Sequence, residues 1–297
     1  MREGEVDMRI GFIGAGKVAT AFGRFLHAHA LTIGGYFDRH EDKRAHACRM
    51  TQSRTCQNAA EVAQVSDMVL ITTRDDQIMG VCHDLAEQGV IRNDHLVGHM
   101  SGAHASVILQ DAARQGAAIF SLHPLQAFAE EEKALSDLPH TYFSIEGTDR
   151  RLTAVEEIMT TTGNRFFRIL PEHKRLYHLS ACIFSNYLVT LMGCGMETLA
   201  HSGILPEEGF TAMMPLIQGT IDNIARIGPA KALTGPIARG DVTTVAQHLD
   251  ALRHESLQTL EEFYAFMGLK TLDLACRDVL NDPAKADALK NVLEGSR

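Results

Sequence analysis

Over the first 170 residues the apolar positions fall in short runs bounded by glycine, proline and polar clusters. Runs of that length and bounding read as buried strands. They are Leu31–Asp38, Met68–Thr72, His95–His99, Ala117–Leu122, Thr141–Ile145 and Arg165–Leu170, with a shorter strand near Arg54. The stretch Met8–Ala19 reads as a buried strand entering a glycine turn and then a helix. Between the runs, Lys17–Ala30, Asp42–Met50, Ala59–Gln64 and Arg151–Thr161 carry helical spacing. Strands alternating with helices imply a parallel sheet covered on both faces.

At Pro171 the pattern changes: the β-branched runs stop, and helical periodicity continues to the end. Pro171 beside Glu172 is a helix-start signal. Helices are predicted over Pro171–Ser202, Pro206–Arg226, Asp241–Leu252, Ser256–Phe266 and Ala284–Leu293. The expected architecture is α/β: a doubly wound, mostly parallel sheet domain over residues 1–170, then an all-helical domain over 171–297, with a ligand cleft between them. Residues 232–241, with Gly235, Pro236, Arg239 and Gly240, form a break that lines a site or simply joins two helices, Asp241 capping the second.

The first turn carries the first chemistry. In Gly14-Ala15-Gly16-Lys17-Val18-Ala19, Gly14 suits a positive φ, Gly16 lets backbone approach a ligand, and Ala19 allows close helix packing. Free N–H groups and the positive helix end then face a diphosphate, a Rossmann dinucleotide fingerprint. Asp38 ends the second strand about 20 residues on, where a carboxylate meets the adenosine ribose. Arg39 could instead meet a 2′-phosphate; Asp38 tips the balance slightly to NAD over NADP. Thr72, Thr73 and Arg74 sit at the carboxyl end of a strand, the ligand edge of such sheets, with Asp75 a helix cap.

The same edge receives Ser101-Gly102 and His123. A serine and glycine opening a helix suit a substrate carboxylate or carbonyl, although Ser101 could be only a cap. His123 either donates to a substrate oxygen or fixes the turn before Pro124. On the helix after Pro171, Lys174, His178, Ala181 and Ser185 share one face. Lys174 beside a carbonyl would stabilise the developing alkoxide or donate its proton, unless it is a solvated surface lysine. His99, His104, His123, His173 and His178 show no metal-helix spacing with a carboxylate, so no metal is expected.

The formal net charge of −9, without a run of Lys or Arg, argues against nucleic acid or an anionic membrane as partner. Six scattered cysteines suit reduced thiols, and the polar, acidic Met1–Asp7 is unlike a signal peptide, so a cytoplasmic protein is expected. The apolar run Ile183–Met196, broken by Ser185 and Asn186, is too short and polar to span a bilayer and reads as a buried or interfacial helix.

Five segments appear in order: Gly11-Phe-Ile-Gly-Ala-Gly-Lys-Val-Ala19, His99–Ala103, Ser121–Gln126, Tyr177-His-Leu-Ser-Ala181 with Ser185-Asn-Tyr187, and Leu233–Asp241. In these the chain resembles a bacterial group of Rossmann-like oxidoreductases whose helical C-terminal domain is catalogued as of unknown function. It is more distantly similar to pyrroline-5-carboxylate reductase, ketopantoate reductase and the β-hydroxyacid and 6-phosphogluconate dehydrogenases. The resemblance implies an NAD(P) domain, a helical domain and a homodimer through the latter. The hydroxyacid and ketopantoate branches use a lysine followed four residues on by Asn; Lys174 and His178 match that spacing, with His for Asn. Ser101-Gly102 falls where the hydroxyacid branch binds substrate. The close group commonly has Ser-Arg or Asn-Arg where this chain has Asp38-Arg39.

The reading that follows is an NAD(P)-dependent oxidoreductase of a small carbonyl or imino acid. Ser101, Gly102 and His123 would hold substrate, Lys174 would donate or stabilise charge, and His178 would orient it. The alternatives are a non-catalytic dinucleotide-binding sensor or scaffold, and a deazaflavin-dependent NADP oxidoreductase.

Overall fold

A computed structural model describes residues 8–128 and 130–295; Met1–Asp7 lies outside the described residues. Eight strands form one sheet: β1 (Arg9–Ile13), β2 (Thr32–Phe37), β3 (Arg54–Thr55), β4 (Met68–Ile71), β5 (Leu96–His99), β6 (Ala118–Pro124), β7 (Phe143–Glu146) and β8 (Phe166–Ile169). Their order is β3-β2-β1-β4-β5-β6-β7-β8. Among the described residues only β6 and β7 pair antiparallel; every other neighbouring pair is parallel. The chain direction across the sheet reverses between β1 and β4, the switch point at which doubly wound sheets bind ligands.

Between the strands run the helices α1 (Lys17–Ala28), α2 (Glu41–Thr51), α3 (Ala59–Val65), α4 (Ile78–Glu87), α5 (Gln110–Arg114), α6 (Glu131–Asp137) and α7 (Thr153–Thr161). The strand period of two decides which layer each side chain joins. On β1, Ile10 and Phe12 enter one core cluster and Ile13 the other; on β4, Met68 and Leu70 enter the first, Val69 and Ile71 the second. The first cluster is aromatic, with Phe12 stacked on Tyr36 at 4.8 Å between centroids.

The helix predicted over Pro171–Ser202 is a short 3-10 turn (Pro171–His173) followed by two helices, α8 (Lys174–Phe184) and α9 (Asn186–His201). Ser185, at φ −111° and ψ −69°, interrupts it. Ser and Asn side chains compete for local backbone partners and weaken a helix interior. By length and composition Pro171–His201 would suffice to cross a membrane, but neither part reaches the roughly 20 residues a spanning helix needs.

The chain divides into two compact units at the same place, the first ending at Asn186 and the second running Tyr187–Arg297. α8, with Lys174 and His178, therefore stays with the sheet. In the second unit α10 (Pro206–Ile227), α11 (Pro229–Ala232), α12 (Pro236–Arg239), α13 (Val242–His254), α14 (Gln258–Asp278) and α15 (Pro283–Glu294) follow. Ile237, Val245, Leu272, Ala275, Leu289 and Leu293 form its core. α14 runs past the predicted end at Phe266 because Leu272 and Ala275 continue its buried face. The 232–241 break begins at the last residue of α11 and holds the short helix α12, with the Asp241 carboxylate accepting from the Thr244 N–H at 3.1 Å to cap α13.

Candidate active site

The turn after β1 is built as its glycines require. Gly14 has φ +108°, and a Cβ there would lie 2.6 Å from the Thr72 carbonyl oxygen, so no other residue fits. Thr72 closes on the same turn, its hydroxyl donating to the Gly14 carbonyl at 2.9 Å. At Gly16 a Cβ would meet nothing within 4 Å. Gly16 opens α1, with no side-chain cap and no acidic residue in the first turn. That leaves the positive helix end facing a cavity of about 380 Å³, lined by Gly14, Gly16, Asp38, Arg39, Thr73 and Arg74 among others. A side chain at Gly16 would meet open space, not protein, at the lining of this cavity. The donor set and shape fit the diphosphate and adenosine of a dinucleotide.

The remaining cofactor-side residues are placed as follows. Ala15 is buried, and its N–H donates to Asp38 Oδ2 at 2.8 Å, while the His40 N–H donates to Oδ1 at 2.8 Å. Asp38 thus ties the glycine turn to the end of β2. Lys17 is exposed and Val18 half-buried against the core. Arg74 pairs with Asp76 at 3.1 Å on the surface. Asp75 does not cap α4. It opens a short 3-10 turn and accepts the Ser101 hydroxyl at 2.8 Å.

Ser101 is buried, and its hydroxyl oxygen also accepts the N–H groups of Ala103 and His104, each at 3.2 Å. Its single O–H is committed to Asp75, which fixes the Ser101–Gly102 turn. Gly102 lies against two imidazoles: a Cβ there would be 2.6 Å from His178 Nδ1 and 2.7 Å from His123 Nε2. His123 stands near the end of β6. Its Nδ1 is 2.7 Å from the Tyr177 hydroxyl, with the rings edge-on. His178 Nδ1 is buried without a hydrogen-bond partner, and its Nε2 is 3.6 Å from Cys182 Sγ. His123, Tyr177, His178 and Cys182 line a cavity of about 700 Å³.

Lys174 is neither a surface lysine nor a lining residue of this cavity. It is fully buried, and its Nζ donates to Ser121 Oγ at 2.8 Å and lies 5.4 Å from the centre of the Tyr177 ring. No hydrogen bond joins it to His178. Burial pulls the ammonium down to about 8, with buried Glu146 opposing. Glu146 in turn accepts the Ser106 N–H and hydroxyl at 2.6 and 2.8 Å. Burial, then the Lys174 charge and His178, hold His123 down to about 4, so its ring is neutral at pH 7. Burial and Lys174 likewise hold His99 down to about 3. Burial pushes the Tyr177 hydroxyl up.

The sequence alone does not mark Tyr177, Ser121, Cys182 or the Asp75–Ser101 tie as site residues. The signal for Tyr177 was its place three residues after Lys174, one helical turn along the same face. Among the described residues no group of three or more His, Cys, Asp or Glu is placed to hold a metal ion.

Residues 3–124 match a Rossmann-like domain, and residues 141–271 match a domain of unknown function, DUF2520. No curated protein matches the chain. Among solved structures, it is similar to a candidate NADP oxidoreductase of Bacteroides fragilis (20% identity, TM-score 0.67, 98% of each chain covered). It is also similar to protein TM1727 of Thermotoga maritima (25% identity, TM-score 0.64, covering 97% of this chain and 99% of that one). A pyrroline-5-carboxylate reductase of Coxiella burnetii shares the fold as well (15% identity, TM-score 0.57, covering 96% and 98%).

Proposed function

We propose that this chain, a Rossmann-like domain followed by a DUF2520 domain, is a nicotinamide-dinucleotide-dependent reductase of a small carbonyl or imino acid. One arrangement carries the reading: the Asp75–Ser101 hydrogen bond ties the turn beside the dinucleotide-shaped cavity to the turn against His123 and His178. A dinucleotide cradle and a polar, proton-handling pocket thus meet at the carboxyl edge of one sheet. A bound dinucleotide supplies the hydride; the chain's residues supply position, charge and the proton.

We favour NADP. Both Asp38 oxygens already accept backbone N–H groups, so the carboxylate is less available to ribose hydroxyls than its position in the sequence suggests. Arg39, His40 and Lys43 line the same cavity, and guanidinium and ammonium groups suit a 2′-phosphate. Binding NADPH and NADH separately tests this: NADPH should bind more tightly, and Arg39→Ala should erase the difference. Binding of neither would overturn the reductase reading. Turnover would then be sought with NADPH and a panel of oxo acids and cyclic imino acids.

The free cysteines fit a reducing cytoplasm. The second unit exposes Leu188, Val189, Phe210, Met214, Leu216 and Ile221 on α9 and α10. This is more apolar side chain than a monomer ordinarily shows water, and it supports a homodimer through the helical unit. Light scattering should report twice the chain mass, and Phe210→Glu with Leu216→Glu should shift it toward the monomer.

A further inference from the structure

His123 is placed to act with both of its ring nitrogens. Ser121 and His123, two apart on β6, project to the same face, where Lys174 and Tyr177 of α8 meet them. Nδ1 of His123 lies 2.7 Å from the Tyr177 hydroxyl. Its Nε2 points the other way, toward the Ser101–Gly102 turn. Beneath the Tyr177 ring lies the Lys174 ammonium, 5.4 Å from its centre and anchored on Ser121 Oγ at 2.8 Å. Lys174 is sealed from solvent, whereas His123 and Tyr177 both line the open cavity.

We propose that Tyr177 and His123 form a two-link, concerted proton relay to the substrate, with Lys174 as its buried counter-charge rather than a group that touches substrate. The inference rests on the reductase reading above. As the substrate oxygen or nitrogen gains electron density, it takes the proton from His123 Nε2: that N–H bond breaks and an O–H or N–H bond forms. His123 Nδ1 takes the Tyr177 proton in the same event, so the imidazole ends neutral, as it began. One proton has then left Tyr177 for the substrate, and a tyrosinate remains above the Lys174 ammonium. The reverse hop resets the pair: Nε2 takes a proton from solvent in the open cavity as the Nδ1 proton passes back to the tyrosinate, restoring Tyr177 and the starting tautomer of His123.

This arrangement suits a histidine too hard to protonate to serve as an acid by itself. A neutral ring moves a proton without ever carrying net charge, and a cation near the phenol favours its charged form. Lys174 is therefore a positioning residue that acts on Tyr177 and His123 through space.

The relay requires one tautomer: Nδ1 as acceptor and Nε2 carrying the proton. Nitrogen NMR of the histidine-labelled full chain reads this directly, without substrate. The expected result is a hydrogen-bonded, unprotonated Nδ1 for His123 that loses its bond in Tyr177→Phe, with the His99 signals unmoved. Tyr177→Phe should also bind NADPH as the wild type does and lose turnover of the best panel substrate about 10²–10⁴-fold. A protonated Nδ1, or Tyr177→Phe turnover within a few-fold of wild type, would overturn the relay while leaving the reductase intact. Failure of the wild type to bind either dinucleotide would instead remove the reading on which the relay stands.

Discussion

Asp75 Oδ2 accepts the Ser101 hydroxyl at 2.8 Å, joining the loop after β4 to the loop after β5 across the ligand edge of the sheet. Ser101 is buried and Asp75 exposed, so the bond positions more than it stabilises. Asp75→Ala should cost about 1 kcal/mol of stability, read as a small fall in thermal midpoint. Turnover should fall further, about tenfold, because the Ser101–Gly102 turn is released. Asp75→Asn, which keeps an acceptor for the Ser101 hydroxyl, should recover part of both the activity and the stability. Equal losses in the two variants would show that the carboxylate charge, not the tie, matters.

Gly14 and Gly102 should fail in different ways. At Gly14 the φ of +108° and the Thr72 carbonyl exclude a side chain, so Gly14→Ala should abolish dinucleotide binding. At Gly102 an added methyl would push against His123 and His178. Overpacking of that kind costs about 1–3 kcal/mol, and the rings would have to turn away from the turn. Gly102→Ala should keep dinucleotide affinity and lose turnover. Calorimetric binding alongside steady-state kinetics separates the two effects.

These contrasts bear on what the sequence could reveal. The sheet was legible because buried strands are short apolar runs, and β1, β4, β5 and β6 have little else to be. The glycine turn was legible because positive φ and close approach demand specific residues. Lys174 stands out in the sequence but its setting does not: nothing in Lys174-Arg-Leu-Tyr177 states that the lysine is sealed against Ser121, since burial is decided by β6, some 50 residues earlier. The Tyr177–His123 pair is likewise a long-range contact, visible only when α8 is laid on the strand. The break at Ser185 was written in the chain as Ser-Asn, yet apolar periodicity on both sides outweighed it.

Acid should destabilise the fold earlier than its carboxylates alone require. His123 and His99 titrate near 6.5 when unfolded but are held down to about 4 and about 3 in the fold. Between those values the unfolded chain binds protons that the folded chain refuses, so stability falls as pH falls. Their contribution is fully present above about pH 6.5, declines below it, and is exhausted below about pH 3. Denaturant midpoints measured from pH 7.5 to pH 4.5 should drop, and His99→Gln should make the decline shallower. An unchanged slope in that variant would mean that His99 is not held neutral.

Lys174→Met provides the sharpest contrast between stability and function. The ammonium is held down to about 8 by burial, below the value of about 10.4 for a free lysine. Below pH 8 the fold therefore carries a charge it disfavours, and that penalty is relieved as pH rises from about 8 toward 10.4. Replacing a buried charge by an apolar group of similar length is often neutral or stabilising, and here it also sacrifices one hydrogen bond to Ser121, worth about 1 kcal/mol. The thermal midpoint of Lys174→Met at pH 7 should thus equal or exceed that of the wild type. Turnover should nevertheless fall about a hundredfold, as expected for loss of a preorganised charge. In the same variant His123 should titrate at higher pH, because the cation that opposed its protonation is gone. In the wild type, turnover should decline as pH rises through about 8, where Lys174 loses its proton. A Lys174→Met protein that is folded and fully active would show that the buried ammonium takes no part in the chemistry.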